Sequence, residues 1–235
     1  MIDFYYAPTP NGWKVAIMLE ECGLEYRTIL LKLTAGDQFK PDYLAISPNA
    51  KMPAIVDHGG AEGPISVFES GAIMMYLAEK TGRFMPTDPK GRKETLEWLF
   101  WQVGNQGPMA GQLSHFVNYA PDGEDYARQR YQGEYERNLA VLERRLVGRD
   151  YILGTYSIAD IIAFPWAFIA KPLSASLEPF PNVAAWRGRI KQRPAVQNAI
   201  NLHKSEQNRG PDKATAETNN VLFNQSAAHL LDGAK

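Results

Sequence analysis

The sequence predicts an α/β domain followed by an all-α domain. Three observations carry that reading: strand-like and helical runs in the order βαβ then ββα near the start, a Gly- and Pro-rich break in "TGRFMPTDPKGR" (81–92), and helical spacing without a convincing strand beyond it. A chain of 235 residues with 45% hydrophobic content is long enough to bury two cores. The expected division is a first domain at 1–82, a helical domain at 88–205 and an extension at 206–235.

Residues 2–6, "IDFYY", form a short apolar and aromatic run stopped by Pro8 and predict a strand. Val15, Ile17, Met18, Leu19 and Cys22 then give an apolar face at helical spacing, with Gly23 as the stop. "YRTILLK" (26–32) is rich enough in β-branched and aliphatic residues to be a second strand, and "PDYLAISPN" predicts a short helix. "PAIVD" (53–57) and "ISVFE" (65–69) predict strands joined across the Gly-rich "HGGAEG" as a hairpin, and a helix follows over Glu69–Lys80. In the helical part, Trp98 and Trp101 are three apart and read as core rather than as a ligand-stacking pair. "TYSIAD" (155–160) predicts a helix start in which Ser157 caps and Asp160 reaches back to the cap N–H. The terminal stretch is polar until "VLFNQSAAHLL" (221–231), which either docks on the bundle, covers a pocket or stays disordered.

Charge narrows the partners. The 25 basic residues nearly cancel the 26 acidic ones and no long Lys/Arg block occurs, so no nucleic-acid footprint is expected and the partners are small molecules or proteins. "MIDFYY" lacks the basic region and apolar run of a signal peptide, and no stretch of about 18 apolar residues is present to span a bilayer. A soluble cytoplasmic protein is expected. Cys22 is the single cysteine, which excludes an intrachain disulfide and a cysteine-based zinc site. Cys22 reads as a small packing residue, and the four histidines are too scattered to suggest paired metal ligands.

Four places offer chemistry. The turn "APTPNGWKV" (7–15) precedes a helix, and on local grounds Thr9 or Asn11 caps it; Gly12 permits close backbone approach and Pro10 preorganises the loop. The tertiary amide of Met52-Pro53 lowers the energy of a cis bond. Glu69-Ser70 lies where a strand enters a helix, so Ser70 can offer its hydroxyl and N–H groups to a carboxylate at the positive end of the helix dipole, or simply serve as a cap. Lys51 and Gln38 lie in loops and are either solvated or ligand contacts.

These motifs occur together in one family. The mixed sheet with "SPNAKMPAIVD" and "FESGAIMMYLAEKTG" resembles the cytosolic glutathione transferases over residues 1–205, with a thioredoxin-like first domain and a helical second one. The order of "APTPNGWKV", "LEECGLEY", "WLFWQVG" and "SIADI" is similar above all to that of the bacterial Nu class, including its disulfide-bond reductases. The resemblance implies a cis Pro53, with the Met52 N–H and C=O pairing with the backbone of the cysteine of glutathione. It implies Ser70 on the γ-glutamyl carboxylate, Glu69 on the α-ammonium group, Lys51 on the glycyl carboxylate and Gln38 on the peptide. It also matches Arg130, with Arg128 close by, to an arginine that reaches glutathione, and it leaves His115 between packing and an acceptor pocket.

The turn contains no group that titrates near neutrality, so the nucleophile implied by the resemblance is the glutathione thiol itself. Asn11 and Thr9 are the catalytic candidates, as donors that hold the sulfur as an anion without ionising. Glutathione is then a bound co-substrate, and the activity is disulfide reduction or attack on small electrophiles, with peroxide reduction compatible. The rival reading is a glutathione-binding regulatory or scavenging protein with little catalysis. The resemblance further implies a homodimer.

Overall fold

The computed structural model of the chain describes residues 1–204, 216–223 and 230. Contacts divide the chain into two units, Met1–Ile73 with Ala199–Lys235, and Met74–Asn198. The first is an α/β unit and the second is helical, as the patterning predicts.

The first unit is built on a four-stranded sheet in the order β2-β1-β3-β4. β1 (Ile2–Tyr6) runs parallel to β2 (Tyr26–Leu30) through the crossover helix α1 (Pro10–Cys22) and antiparallel to β3 (Ala54–Asp57). β3 pairs antiparallel with β4 (Ile65–Phe68) across the expected hairpin. β2 stops two residues before the predicted end, and Leu33–Ala35 and Asp37–Phe39 form 3-10 turns instead. Phe4, Tyr6, Ala54 and Ile55 are buried in the centre of the sheet. α1 departs from the predicted single apolar face: Gly12 through Leu19 are all buried, including Lys14. Gly23 ends it in the left-handed conformation, φ 65°, a backbone state that glycine adopts without a Cβ penalty. α2 (Pro41–Leu44) is a single short turn, and α3 (Ser70–Thr81) follows β4, with only its first turn, to Ile73, counted in this unit.

The second unit contains α4 (Pro89–Trp101), α5 (Gly107–Asn118), α6 (Asp125–Arg145), α7 (Ile158–Phe168) and α8 (Pro181–Lys191), and no strand lies among its described residues. Between α4 and α5, Gln102–Gln106 form a π-helical turn closed by the Gly107 N–H on Gln102 O. Pro108, which has no N–H to donate, follows at once, and the helix ladder restarts there. Trp98 and Trp101 are half-buried rather than core, and meet edge to face at 5.1 Å. α7 is buried along almost its whole length, and the predicted cap is present: Ser157 and Asp160 form a reciprocal capping box.

α9 (Pro194–Asn201) leads back to the first unit, where the Tyr6 hydroxyl donates to Leu202 O at 3.3 Å and Thr28 Oγ1 lies 2.9 Å from His203 Nε2. α10 (Ala216–Phe223) packs on the Leu33–Ala35 turn, so the apolar end of the chain begins on the α/β unit rather than on the bundle. Residues 224–229 and 231 of the predicted apolar segment lie outside the described residues. Among the described residues no helix is long and apolar enough to cross a membrane.

Candidate active site

The start of α1 is made by Thr9. Its backbone is extended, φ −126° and ψ 165°, its side chain accepts from the Gly12 N–H at 3.5 Å, and its carbonyl accepts from the Trp13 N–H at 2.9 Å. Thr9 therefore is the cap that local sequence predicts. Capping uses the lone pairs of the oxygen and leaves its hydrogen to donate, and that hydrogen points to Met52 Sδ at 3.8 Å. A thioether is a weak acceptor, so the hydroxyl can turn to an anionic sulfur with a net gain. Asn11 is half-buried in the first turn of α1, which carries no acidic residue to neutralise the positive end of the helix.

Gly12 makes this turn possible. A Cβ there would lie 2.2 Å from Ala7 O and 2.8 Å from the Tyr6 ring, so α1 enters directly against β1 and no side chain fits. Gly12→Ala is expected to lower stability by about 1–3 kcal/mol or more through overpacking against backbone. A thermal melt checks this, and an unchanged midpoint would show that the turn gives way without loss.

The Met52–Pro53 peptide bond is cis, as the resemblance implies. The loop before it is fixed by two hydroxyls from the α2 region: Tyr43 and Ser47 both donate to Lys51 O, at 2.8 and 2.9 Å. Met52 packs beside the buried cluster of Leu31, Tyr43 and Ala54, while the Lys51 side chain stands exposed. Glu69 joins this loop to α3. Asn49 Nδ2 donates to Glu69 Oε1 at 3.3 Å, the Ile73 N–H donates to Glu69 O at 2.9 Å, and Glu69 sits at φ 68°, a left-handed conformation uncommon outside glycine. Ser70 opens α3 and is buried at its first turn, which again holds no acidic residue.

Thr9–Met52 and Asn49–Glu69 thus tie together the three places that the sequence singled out: the turn before α1, the cis-proline loop and the start of α3. Gln38 lies in the 3-10 turn Asp37–Phe39, which is held by Lys40 on Asp37 at 2.7 Å and by the Lys32 N–H on Asp37 Oδ2 at 2.8 Å. Only 3% of Gln38 is exposed, and its Oε1 has no hydrogen-bond partner among the described residues. Arg130 belongs to the second unit, exposed on α6, where its guanidinium donates to Glu134 Oε1 at 2.7 Å. His115, on α5, is half-buried and stacks on Tyr119, in keeping with packing.

Tyr6 is fully buried in β1, its hydroxyl is engaged by Leu202 O, and burial pushes the phenol well above its ordinary range. Asn49 and Lys14 were not singled out from sequence. The signal for Lys14 was present, as one cation inside the apolar run "GWKVAIML", three residues after Asn11.

Residues 9–80 match the model of the glutathione S-transferase N-terminal domain, and residues 125–189 match that of the C-terminal domain. The chain is 50% identical to the disulfide-bond oxidoreductase YfcG of Escherichia coli, over 85% of this chain and 94% of that protein. Among solved structures, a glutathione transferase from Burkholderia graminis with two glutathione molecules bound per subunit superposes with a TM-score of 0.81 at 45% identity, covering 86% of this chain and 88% of that one. A glutathione transferase from Pseudomonas putida with one glutathione disulfide bound per subunit gives 0.80 at 39% identity, covering 86% and 91%. The resemblance to bacterial disulfide-bond reductases of the Nu class therefore holds over most of the molecule, and the chain belongs to the glutathione S-transferase family.

Proposed function

We propose that the protein is a glutathione-dependent disulfide-bond oxidoreductase whose nucleophile is the glutathione thiolate. The observation that carries this is the contiguous run of Thr9, Met52-Pro53, Asn49, Glu69 and Ser70, with two helix starts free of acidic residues in their first turns. Two of the relatives described above hold glutathione or its disulfide, which fits the same chemistry. In this reading Ser70 and the start of α3 take the γ-glutamyl carboxylate, Glu69 takes the α-ammonium group, and the Met52 backbone pairs with the cysteine. Lys51 meets the glycyl carboxylate, and the unpaired Gln38 Oε1 accepts a peptide N–H.

The energetics require more than a helix dipole. A thiol of ordinary pKa, about 8.5, needs roughly 2.7 kcal/mol to become mostly thiolate two units lower. A helix N-terminus supplies about 0.3–1 kcal/mol and at best about 2. Each hydrogen bond to a charged group adds about 1.5–3 kcal/mol, so donors from Thr9 and Asn11 complete the stabilisation.

The reaction then runs in two displacements. A first glutathione thiolate attacks one sulfur of the disulfide, the S–S bond breaks, and the departing thiolate takes a proton. A second glutathione thiolate attacks the glutathione sulfur of the mixed disulfide, releasing the second thiol and leaving glutathione disulfide. Two glutathiones are oxidised for each disulfide reduced, and no protein cysteine takes part. The same thiolate can attack a small electrophile or a peroxide. Turnover of a small disulfide with excess glutathione, alongside a chlorinated nitroaromatic, ranks these activities. Tight glutathione binding without any turnover would favour the binding-protein reading instead.

We also propose a homodimer acting in the cytoplasm. Phe68 on β4 and Phe100 on α4 are 38% and 63% exposed, large apolar surfaces of the kind that association covers. Light scattering is expected to give twice the chain mass, and a monomer at micromolar concentration would contradict it. The single cysteine suits a reducing compartment.

A further inference from the structure

We infer that α10 is a positioning element of the glutathione site: docked on the loop 32–40, it fixes the Gln38 carboxamide and, through it, the affinity for glutathione. The inference rests on the glutathione reading above and adds to it a part of the chain, residues 219–222, that lies outside every ligand contact assigned there.

The loop is one hydrogen-bonded piece. The Ala35 and Asp37 N–H groups both donate to Lys32 O, the Gly36 N–H donates to Leu33 O, and the Phe39 N–H donates to Gly36 O. Asp37 braces it from the side, accepting from the Lys32 N–H at 2.8 Å and pairing with Lys40 at 2.7 Å. The place of Gln38 therefore depends on what holds the loop as a whole. Leu33 packs beside the cluster of Leu31, Tyr43 and Ala54, on which Met52 also rests, but Thr34 and Ala35 are exposed and 3-10 turns have poorer hydrogen-bond geometry than an α-helix.

α10 supplies a further contact. It packs on Leu33–Ala35, and Val221 Cγ1 lies 3.8 Å from the point that a Cβ on Gly36 would occupy. Gly36 closes the first 3-10 turn and caps the second at φ 76°, a left-handed state that suits glycine. A helix that presses there bears on the joint between the turn it packs on and the turn that carries Gln38. The pattern of α10 agrees: Asn219, Val221 and Leu222 are half-buried and share one side of the helix, whereas Asn220 and Phe223 are exposed. Holding a ligand-contacting loop in place before binding removes its ordering from the binding step and so adds affinity. By reciprocity, bound glutathione holds α10 down by the same factor.

Calorimetric titration of the full-length chain with glutathione tests this with two variants. Val221→Asp puts a charge into the packed side of α10, and Asn220→Asp puts the same charge on its exposed side. Val221→Asp is expected to weaken glutathione about tenfold and to raise its KM by a similar factor, with kcat changed far less. Asn220→Asp is expected to stay within about twofold of wild type. In combination with Gln38→Ala, Val221→Asp is expected to lose much less than the product of the two separate losses, since both act through one contact. Wild-type affinity in a folded Val221→Asp variant overturns the inference, and so do losses that multiply. Should Val221→Asp not fold, hydrogen exchange of the wild-type chain decides: saturating glutathione is expected to slow the backbone amides of 219–222, and unchanged exchange there overturns the inference. Wild-type protein that binds no glutathione would instead defeat the functional reading. Exchange of the amides of 33–39 in Val221→Asp against Asn220→Asp would then still decide whether α10 holds the loop, with faster exchange expected in the former and equal rates overturning it.

Discussion

Asn11→Ala is expected to lower glutathione-dependent turnover of a small disulfide by roughly tenfold to 150-fold, with glutathione affinity changed far less. The estimate is the loss of one hydrogen bond to a charged sulfur, about 1.5–3 kcal/mol, at 1.36 kcal/mol per factor of ten. The substitution leaves the helix start in place because Thr9, not Asn11, caps α1, and because alanine is the best helix former. Thr9→Val confounds two effects: it removes a sulfur donor and also the cap, worth about 1 kcal/mol of stability. Asn11→Asp is expected to be worse than Asn11→Ala, since an ionised carboxylate accepts only and repels the thiolate. Initial rates at saturating glutathione check the order, and equal turnover in wild type and Asn11→Ala would remove Asn11 from the mechanism.

The largest effect on stability is expected at Asp160. Its buried carboxylate accepts from the Ile152 N–H at 2.9 Å, the Ser157 N–H at 3.0 Å, the Ser157 hydroxyl at 3.1 Å and the Trp186 indole N–H at 2.8 Å. It therefore joins the loop before α7, the cap of α7 and α8 at one point. Asp160→Ala leaves these donors buried without an acceptor and is expected to cost about 3–5 kcal/mol. For a chain of this size that is a fall of about 2–4 °C in midpoint for each kcal/mol.

Asp160 also predicts a pH dependence. Burial pushes its carboxyl from 3.8 up to about 6, against the opposing pull of its four donors. Between these values the folded protein keeps a proton that the unfolded chain has released, so the contribution of Asp160 to stability falls as pH rises through the window. The change is about 3 kcal/mol at 1.36 kcal/mol per unit. Asp160→Asn does not titrate, so its deficit relative to wild type is expected to be larger at pH 4 than at pH 7. Denaturant titrations at the two values test this, and a deficit that narrows towards pH 4 would contradict it.

The elements that were legible in the sequence are those with a strong local cause. β1, α1 and β2 follow from apolar periodicity with Gly23 as a stop, the β3–β4 hairpin from two β-rich runs around "HGGAEG", and the α7 cap from "SIAD". The 3-10 turns at Leu33–Ala35 and Asp37–Phe39 are too short to leave a period, and the π-helical turn at Gln102–Gln106 is a local slip in a continuous helical pattern. Asp160 was legible as the cap partner of Ser157, whereas its bonds to Ile152 and Trp186 join residues distant in sequence. In the site, residue types and order showed the donor turn and the Glu-Ser helix start. Geometry added that Thr9 caps α1 while its hydroxyl points to Met52, that Asn49 braces Glu69, and that Lys14 is buried. Burial of a lysine depends on what packs around α1, which no local pattern encodes.

The proposed chemistry depends on a thiolate held by donors that do not themselves ionise. Titration of glutathione bound to the wild-type protein, read by thiolate absorbance, tests it most directly. The expected midpoint lies about two units below the ordinary thiol value near 8.5, and a midpoint unchanged from free glutathione would rule out thiolate stabilisation by this site.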